Sequence, residues 1–270
     1  MATIGLVVHH QRPEAAELAQ RTVHWLLSCG HRALLLEEPP FPDLDLAVSL
    51  GGDGTMLRTV DMVASAKVPV LGVNLGNLGY LTTVEPDQLH DALDRFVSGE
   101  YRLDARMTLD VRIFDRHGQV TLHCGALNDV VLQRPAGQHT VRARLAVNGA
   151  PFLSFAADSL IVATPTGSTA YNLSARGPIV SPRARVQIVT PVAAHMLFDR
   201  SLVLAADEEV TLSPEDGAPA DLVVDGSLIG VLEPGHTLRC AEGASDALLV
   251  TFGDRHFHDI LKSKFNLSDR

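Results

Sequence analysis

Apolar positions follow two different rhythms along this chain. From the start to about Gly99, short apolar runs alternate with stretches whose apolar residues recur at helical spacing. Ile4–Val8, Arg32–Leu36, Asp45–Leu50 and Val68–Val73 read as strands. Glu14–Cys29, with Leu18, Val23, Leu26 and Leu27 apolar, reads as a helix, as do Thr55–Ala66 and Asp87–Val97. Alternating strands and helices predict a parallel sheet with helices flanking it. Beyond Tyr101 the rhythm changes to short β-rich runs punctuated by Gly, Asn and Pro. They are Leu109–Phe114, Val120–Cys124, Val130–Gln133, Val141–Val147, Ser159–Ala163, Val186–Val189, Ser201–Leu204, Val210–Leu212, Leu222–Val224 and Leu228–Val231. Asp115-Arg116-His117-Gly118 and Asn148-Gly149 have the composition of hairpin turns. Many short strands at this spacing predict an all-β sandwich. The tail returns to the first rhythm, with a strand at Leu248–Phe252 and a helix at Asp254–Phe265 that takes Asp254 as its N-cap. The expected organisation is an α/β domain over 1–99, a β-sandwich over 100–245, and a strand–helix segment over 246–270 that docks back on the α/β domain. No internal repeat or low-complexity segment interrupts it.

The 270 residues suffice for about two domains, and a chain of this size buries a large core without staples. Its 22 basic and 32 acidic residues leave a net charge of −10. That balance argues against a nucleic-acid binder, which needs a basic face to displace counterions. With aromatics at 5%, a base-stacking platform is also disfavoured. An anionic substrate must therefore be met by local cations, backbone N–H groups or a metal. The scattered Cys29, Cys124 and Cys240 lack CxxC spacing, which supports no zinc site and points to a reducing, cytoplasmic setting. The apolar start is too short for a signal peptide, and no apolar run is long enough for a membrane helix.

The chemistry concentrates in glycine-rich turns. Gly51-Gly52-Asp53-Gly54-Thr55 stands where a buried strand turns into a helix. Such a turn lets phosphate approach the backbone, and the helix start adds free N–H groups. Ligands of open α/β sheets bind at this end of the strands. No Gly-Lys-Ser/Thr follows, so the turn is not a P-loop, and it is no GxGxxG fingerprint. Asp53 repels phosphate and so needs a function: it takes a proton from an attacking hydroxyl, holds Mg²⁺, or simply caps the helix. Asn74-Leu75-Gly76-Asn77-Leu78-Gly79-Tyr80-Leu81-Thr82 forms a second glycine-rich turn after the next strand. Asn128-Asp129 precedes a β-branched run. Asp158 precedes Thr164-Pro165-Thr166-Gly167-Ser168-Thr169-Ala170-Tyr171, a block rich in hydroxyl donors that ends in an aromatic. By itself that block reads either as a nucleoside cradle or as an ordinary sandwich turn.

These blocks, in this order and over nearly the whole chain, resemble the NAD kinase family. The Gly-Gly-Asp-Gly-Thr turn alone is shared with diacylglycerol and sphingosine kinases and with phosphofructokinases. The second glycine-rich turn, the Asn-Asp pair and the Thr-Pro-Thr-Gly-Ser-Thr-Ala-Tyr block narrow the resemblance to NAD kinases. It implies an N-terminal α/β domain, a C-terminal β-sandwich and a site between them. The implied reaction moves the γ-phosphoryl of ATP to the adenosine-ribose 2′-hydroxyl of NAD with a divalent metal such as Mg²⁺. By the same resemblance Asp53 is the catalytic base, and Gly54 and Arg58 belong to the phosphate neighbourhood. Asn128 and Asp129 are the NAD-binding pair, and His139 is a basic ligand contact. Asp158 is an acid that reaches a neighbouring subunit's NAD, and Thr169, Ala170, Tyr171, Asn172, Leu173 and Ser174 bind adenosine. The implied assembly is a homodimer or homotetramer; neither the metal ligands nor the choice of ATP or polyphosphate as donor is implied. The chain departs from the family pattern at Ala156, Ser159 and Ser227, where a basic residue, glycine and glutamine are usual.

Bland readings hold elsewhere. His9-His10 and His256/His258 read as solvated or capping residues. Arg142/Arg144 and Arg183/Arg185 read as solvated strand faces. Ser168 lacks a GxSxG elbow, which disfavours a hydrolase. Two other functions remain as competitors: a diacylglycerol-type lipid kinase, and a non-catalytic NAD-sensing module, which would have no use for the acid at Asp53.

Overall fold

The computed structural model describes every residue except Pro40, Asn77, Leu78, Asp216, Asp254, Arg255 and residues 268–270. It divides into two compact units, Met1–Arg106 with Ala247–Arg270, and Met107–Asp246.

In the first unit, β1 (Thr3–Val8), β2 (Arg32–Leu35), β3 (Leu46–Gly51) and β4 (Val70–Asn74) are joined through α1 (Pro13–Ser28) and α2 (Asp53–Val63). α3 (Leu89–Val97) follows, then β5 (Arg102–Arg106). The C-terminal β18 (Ala247–Thr251) enters the same sheet, in the order β2-β1-β3-β4-β18-β5. All pairings are parallel except β18 with β5, so the sheet is mixed at one edge. The change of rhythm in the sequence falls before β5, whereas the unit continues through Arg106 because β5 is hydrogen-bonded to β18. Ile4, Leu6, Leu46, Val48, Leu50, Leu71 and Val73 face α1 and α3 in one apolar cluster. Trp25 of α1 stacks on His90 of α3 there, with ring centroids 4.5 Å apart. Alternation along the strands leaves the other face to α2, whose Met56 sulfur lies against Gly72. α2 begins at Asp53, two residues before the expected start, and a short 3₁₀ turn at Ala64–Ala66 ends that segment. The last helix, α5 (Phe257–Lys264), has His256 at its N-cap; the expected cap, Asp254, lies outside the described residues.

The second unit is a sandwich of two antiparallel sheets. One sheet contains β6 (Leu109–Phe114), β7 (Val120–Ala126), β9 (Val141–Val147), β10 (Ala150–Ala157), β14 (Val210–Pro214) and β17 (Thr237–Glu242), in the order β10-β9-β14-β17-β6-β7. The other contains β8 (Asp129–Gln133), β11 (Ser159–Ala163), β12 (Val186–Val192), β13 (Leu202–Ala205), β15 (Ala220–Val224) and β16 (Ser227–Leu232), in the order β13-β12-β11-β8-β15-β16. Both hairpins expected from turn chemistry form. Asp115 and Gln119 close β6–β7, and Asn148 (φ 51°) and Gly149 (φ 75°) close β9–β10. β5, β10 and β17 were not anticipated from the pattern.

The central strands of the second sheet are covered on both faces. Val130 and Leu132 of β8, with Leu160 and Val162 of β11, enter the core between the sheets. Val131, Ile161 and Ala163 point the other way and pack with Ile188, Ala175 and Val180. The chain between β11 and β12, including the four-residue helix α4 (Tyr171–Ser174), thus forms a third layer. No helix among the described residues is long and apolar enough to cross a membrane, which leaves β-barrels unaddressed.

Leu160 is fully buried in the sandwich core, whereas Val203 is 53% exposed. Leu160→Ala is expected to destabilise the protein by about 2–5 kcal/mol, and Val203→Ala by about 0.5 kcal/mol or less. Denaturant unfolding of the two variants checks this; equal losses would contradict the assigned core.

Candidate functional site

β1, β3 and β4 end side by side, and their carboxyl ends carry the polar residues of the first unit. Gly51 closes β3, Gly52 is the N-cap of α2, and Asp53 is its first residue. Asp53 is the first helical residue and not the N-cap, a position that Gly52 fills without a side chain. The Asp53 carboxylate accepts the N–H of Tyr80 (2.9 Å) at Oδ2 and of Leu81 (3.0 Å) at Oδ1. The second glycine-rich turn is thereby tied to the first. Gly79 makes the approach feasible, because a Cβ there would overlap the Asp53 carboxylate. Each oxygen retains an acceptor position beyond its backbone bond. The Tyr80 phenol is pushed up from its ordinary pKa by burial and then by the charge of Asp53. Lys264 of α5 lies over the Tyr80 ring, 4.7 Å from its centroid.

Beside Asp53 is a pocket of about 410 Å³ lined by Gly52, Gly54, Thr55 and Arg58 on one side and Val8 to Arg12 on the other. Cβ atoms on Gly52 or Gly54 would meet open space, so the bare backbone of the α2 N-terminus faces this room. Arg58 is hydrogen-bonded to His10 and, at 3.4 Å, to the Glu37 carbonyl. Arg12 donates to the Leu75 carbonyl and pairs with Glu14 at 3.7 Å. Two guanidinium groups, two imidazoles and the first N–H groups of a helix suit an anion such as a phosphate chain. His9 and His10, expected to be solvated or capping, both line this pocket. Their signal was position: they directly follow the first buried strand, as Asp53 follows the third.

In the second unit, Asn128 and Asp129 lead into β8. The N–H groups of Leu127, Asn128 and Asp129 all donate to the Asp225 carboxylate, at 2.8, 2.7 and 3.1 Å. From the other side, the Asn128 carbonyl accepts Thr164 N–H at 2.9 Å, and the Leu127 carbonyl accepts the Thr164 hydroxyl at 2.6 Å. Gly167 lies over the Asn128 carbonyl so closely that any Cβ would overlap it. The Thr-Pro-Thr-Gly block is therefore stitched to the Asn-Asp pair through the backbone. Asp129 is 4% exposed. Burial and then the neighbouring Asp225 charge raise its pKa to about 7, against the N–H of Tyr171, which favours the carboxylate.

The other expected residues divide by exposure. Tyr171 is 42% exposed, with its hydroxyl 3.5 Å from that of Ser159. Thr169 and Ala170 are half-buried at the turn before it, Leu173 is half-buried, and Ser174 is exposed. Asn172 is fully buried; its amide nitrogen donates to the Ser168 and Pro178 carbonyls, and its oxygen accepts the Thr190 hydroxyl. Asn172 thus braces the turn from inside, without a free face. Ser168 is likewise buried, exchanging hydrogen bonds with the Val180 backbone. Asp158 pairs with Arg134 at 3.1 Å, and His139 is exposed. Arg185 and Arg144, expected on solvated faces, engage Asp246 with Glu242, and Glu215, respectively. Asp225 went unrecognised, although its Asp-Gly pair between two β runs was a visible turn signal.

Residues 41–101 match the family model for the ATP-NAD kinase N-terminal domain, and residues 127–252 that for the ATP-NAD kinase C-terminal domain. The NAD kinase of Heliobacterium modesticaldum is 39% identical over 285 residues, spanning 98% of each protein. The NAD kinase of Moorella thermoacetica is 36% identical over 279 residues, spanning 98% of this chain and 89% of that protein. Among solved structures, yeast NADH kinase complexed with NADH superimposes with a TM-score of 0.90 at 22% identity, covering 100% of this chain and 89% of that one. An NAD kinase from Archaeoglobus fulgidus in complex with ATP gives a TM-score of 0.80 at 22% identity, covering 98% and 100%. At that identity the two structures speak for the fold alone.

The raised pKa of Asp129 makes its carboxyl a source of pH-dependent instability. Its contribution is most favourable below the ordinary value of 3.8 and is lost as pH rises toward about 7. Each pH unit of separation is worth about 1.4 kcal/mol, so the loss is on the order of a few kcal/mol. Asp129→Asn keeps an acceptor for Tyr171 and carries no charge. The variant is expected to gain stability over the parent as pH rises through this window, with the gap levelling off above it. Thermal melts at a series of pH values test this; a gap independent of pH would refute the buried charge.

Proposed function

This chain belongs to the NAD kinase family, phosphotransferases that convert NAD to NADP using ATP, and we propose that in it Asp53 takes the proton of the adenosine-ribose 2′-hydroxyl during that transfer. The hydroxyl oxygen forms the new bond to the γ-phosphorus, the bond from that phosphorus to the β–γ bridging oxygen breaks, and ADP leaves. The proton passes to Asp53. The observation that carries this reading is the direction of the Asp53 carboxylate, which the N–H groups of Tyr80 and Leu81 fix from the neighbouring turn. A base held at one orientation needs little reorganisation when the hydroxyl arrives. Gly54, Arg58 and the α2 N-terminus are read as the phosphate-binding elements, because they line the basic pocket.

Nucleotide recognition is assigned to Asn128, Asp129 and the run Thr169, Ala170, Tyr171, Leu173 and Ser174. Asn172 belongs to this group as a residue that shapes the turn from beneath. The exposed Tyr171 ring, whose backbone N–H is held by Asp129, supplies a flat surface for adenine. His139 and Asp158 are read as outer contacts, Asp158 toward a neighbouring subunit of a homodimer or homotetramer.

The divalent cation is read as entering with ATP. Mg²⁺ keeps several waters and binds through one or two carboxylates and substrate phosphates. That suits a site where, among the described residues, no three His, Cys, Asp or Glu side chains converge. Its chemistry is to neutralise charge on the transferring oxygens. The donor is ATP or polyphosphate, since the pocket's cations recognise a phosphate chain common to both. Among the described residues Cys29, Cys124 and Cys240 form no disulfide, which suits a reducing cytoplasm.

Asp53→Asn is expected to lower kcat by about 10²–10⁴-fold, measured as NADP formed from NAD and ATP with Mg²⁺. The amide also turns one N–H toward the backbone donors, so a melt of the same protein is needed to show that the turn persists. Near-parental kcat in the folded variant would remove Asp53 from the role of base.

Tyr171→Ala is expected to weaken NAD binding while changing turnover at saturation much less, because stacking acts equally on ground and transition states. Base–aromatic stacking is worth roughly 1–3 kcal/mol, which corresponds to a several-fold to about hundredfold rise in Kd. The ring's exposure predicts a small change in melting temperature. Calorimetric titration with NAD beside a melt decides: unchanged affinity with a large melting shift would make Tyr171 a packing residue.

A further inference from the structure

We propose that Asp225 is a positioning residue for NAD binding, acting through the backbone of Leu127, Asn128 and Asp129 and through its charge beside Asp129. This rests on the reading of Asn128 and Asp129 as nucleotide contacts. Asp225 (φ 47°) and Gly226 (φ 81°) form the two-residue turn between β15 and β16. The turn by itself asks only for residues that tolerate positive φ, a requirement Asn or Gly meets as well. A carboxylate is required by something else: three successive N–H groups converge on it, at 2.7 to 3.1 Å. Three N–H groups in sequence form a concave anion site, and here its anion is a side chain of the same protein.

The Asp225 N–H also donates to the Asp129 carbonyl at 3.0 Å, so the turn and the start of β8 are bonded in both directions. Thr164 holds the Leu127 and Asn128 carbonyls on the opposite side. The peptide groups of Leu127 and Asn128 are thus engaged at both N–H and C=O. The directions in which Asn128 and Asp129 project are set before any ligand binds, which reduces the ordering required on binding.

The same carboxylate brings negative charge to a buried acid. The elements around Asp129 supply Ala163 from β11, its antiparallel partner, the Tyr171 N–H from α4, and Asp225 from the β15–β16 turn. Asp225 is the charged group among these, and it opposes ionisation of Asp129. Removing it lets Asp129 ionise at lower pH. A purely structural turn residue would alter stability without moving that titration.

The test uses the full chain and calorimetric titration with NAD over a range of pH, with thermal melts in parallel. Asp225→Asn keeps a residue suited to the turn but removes the charge and one acceptor. It is expected to raise the Kd for NAD by about tenfold or more, to change kcat at saturating NAD much less, and to shift the pH midpoint of NAD affinity downward. Asp225→Glu keeps the charge but displaces it from the three N–H groups; it is expected to raise Kd with the midpoint nearly unchanged. Parental Kd and midpoint in folded Asp225→Asn would overturn the proposal. If that variant does not fold, Asp225→Glu decides: an unchanged Kd overturns the proposal and a raised Kd supports it. Asn128→Ala separates the two readings, because parental NAD affinity there overturns the assignment of the pair as nucleotide contacts rather than the role of Asp225.

Discussion

A carboxylate that accepts several backbone N–H groups from a distant loop is the interaction on which both units of this protein depend. Asp53 takes two from the turn after β4, and Asp225 takes three from the approach to β8. Loops carry backbone donors that regular structure leaves unpaired, and burial makes an unpaired donor costly. An ionised acceptor satisfies several at once and bonds each more strongly than a neutral group would. The result is loop backbone with little freedom, carried at the ends of rigid strands. This holds Tyr80 and Leu81 in the one loop, and Leu127, Asn128 and Asp129 in the other, against a fixed acceptor.

The layers around these loops follow from strand alternation. In the sandwich, β8 and β11 send even-numbered residues to the inter-sheet core and odd-numbered ones to a second apolar cluster. A strand buried on both faces must be covered on its outer side, and the chain through Thr164–Val180 supplies the cover. Its hydroxyl and amide side chains are therefore divided between two tasks. Ser168 and Asn172 point inward and are fully bonded, whereas the Tyr171 ring stays half in solvent.

A net charge of −10 does not fix the local potential at any one place on the chain. The average charge is spread over the surface and screened within about 10 Å at moderate ionic strength. Locally, Arg12, Arg58, His9, His10 and the α2 N-terminus line one pocket. The acid next to that pocket is drawn aside by Tyr80 and Leu81, so its charge is met by hydrogen bonds. Asp129 shows the opposite arrangement, a buried acid beside another acid, and it becomes sensitive to pH near neutrality.

The hydrophobic pattern by itself determined the two fold classes, most of the strands and the return of the C-terminal strand, because burial on one or both faces imposes a period on the residues. It did not reveal β5, β10 and β17. β5 is a polar edge strand, Arg-Leu-Asp-Ala-Arg, and owes its place to pairing with β18. β10 carries a register shift between Pro151 and Leu153 that disrupts its alternation. The motifs marked where segments of backbone come close, since glycines and small hydroxyl residues remain visible in sequence at such places. Only the tertiary structure decided what each of those residues touches. Gly79 and Gly167 are required by a carboxylate and a carbonyl that come from other segments. Asp225, which shares no local pattern with Asn128-Asp129, reaches that pair because β15 lies beside β8 in the sheet. Local periodicity reports which side of an element is buried; which distant donor meets which acceptor depends on strand order, and strand order is set by the packing of the whole sheet.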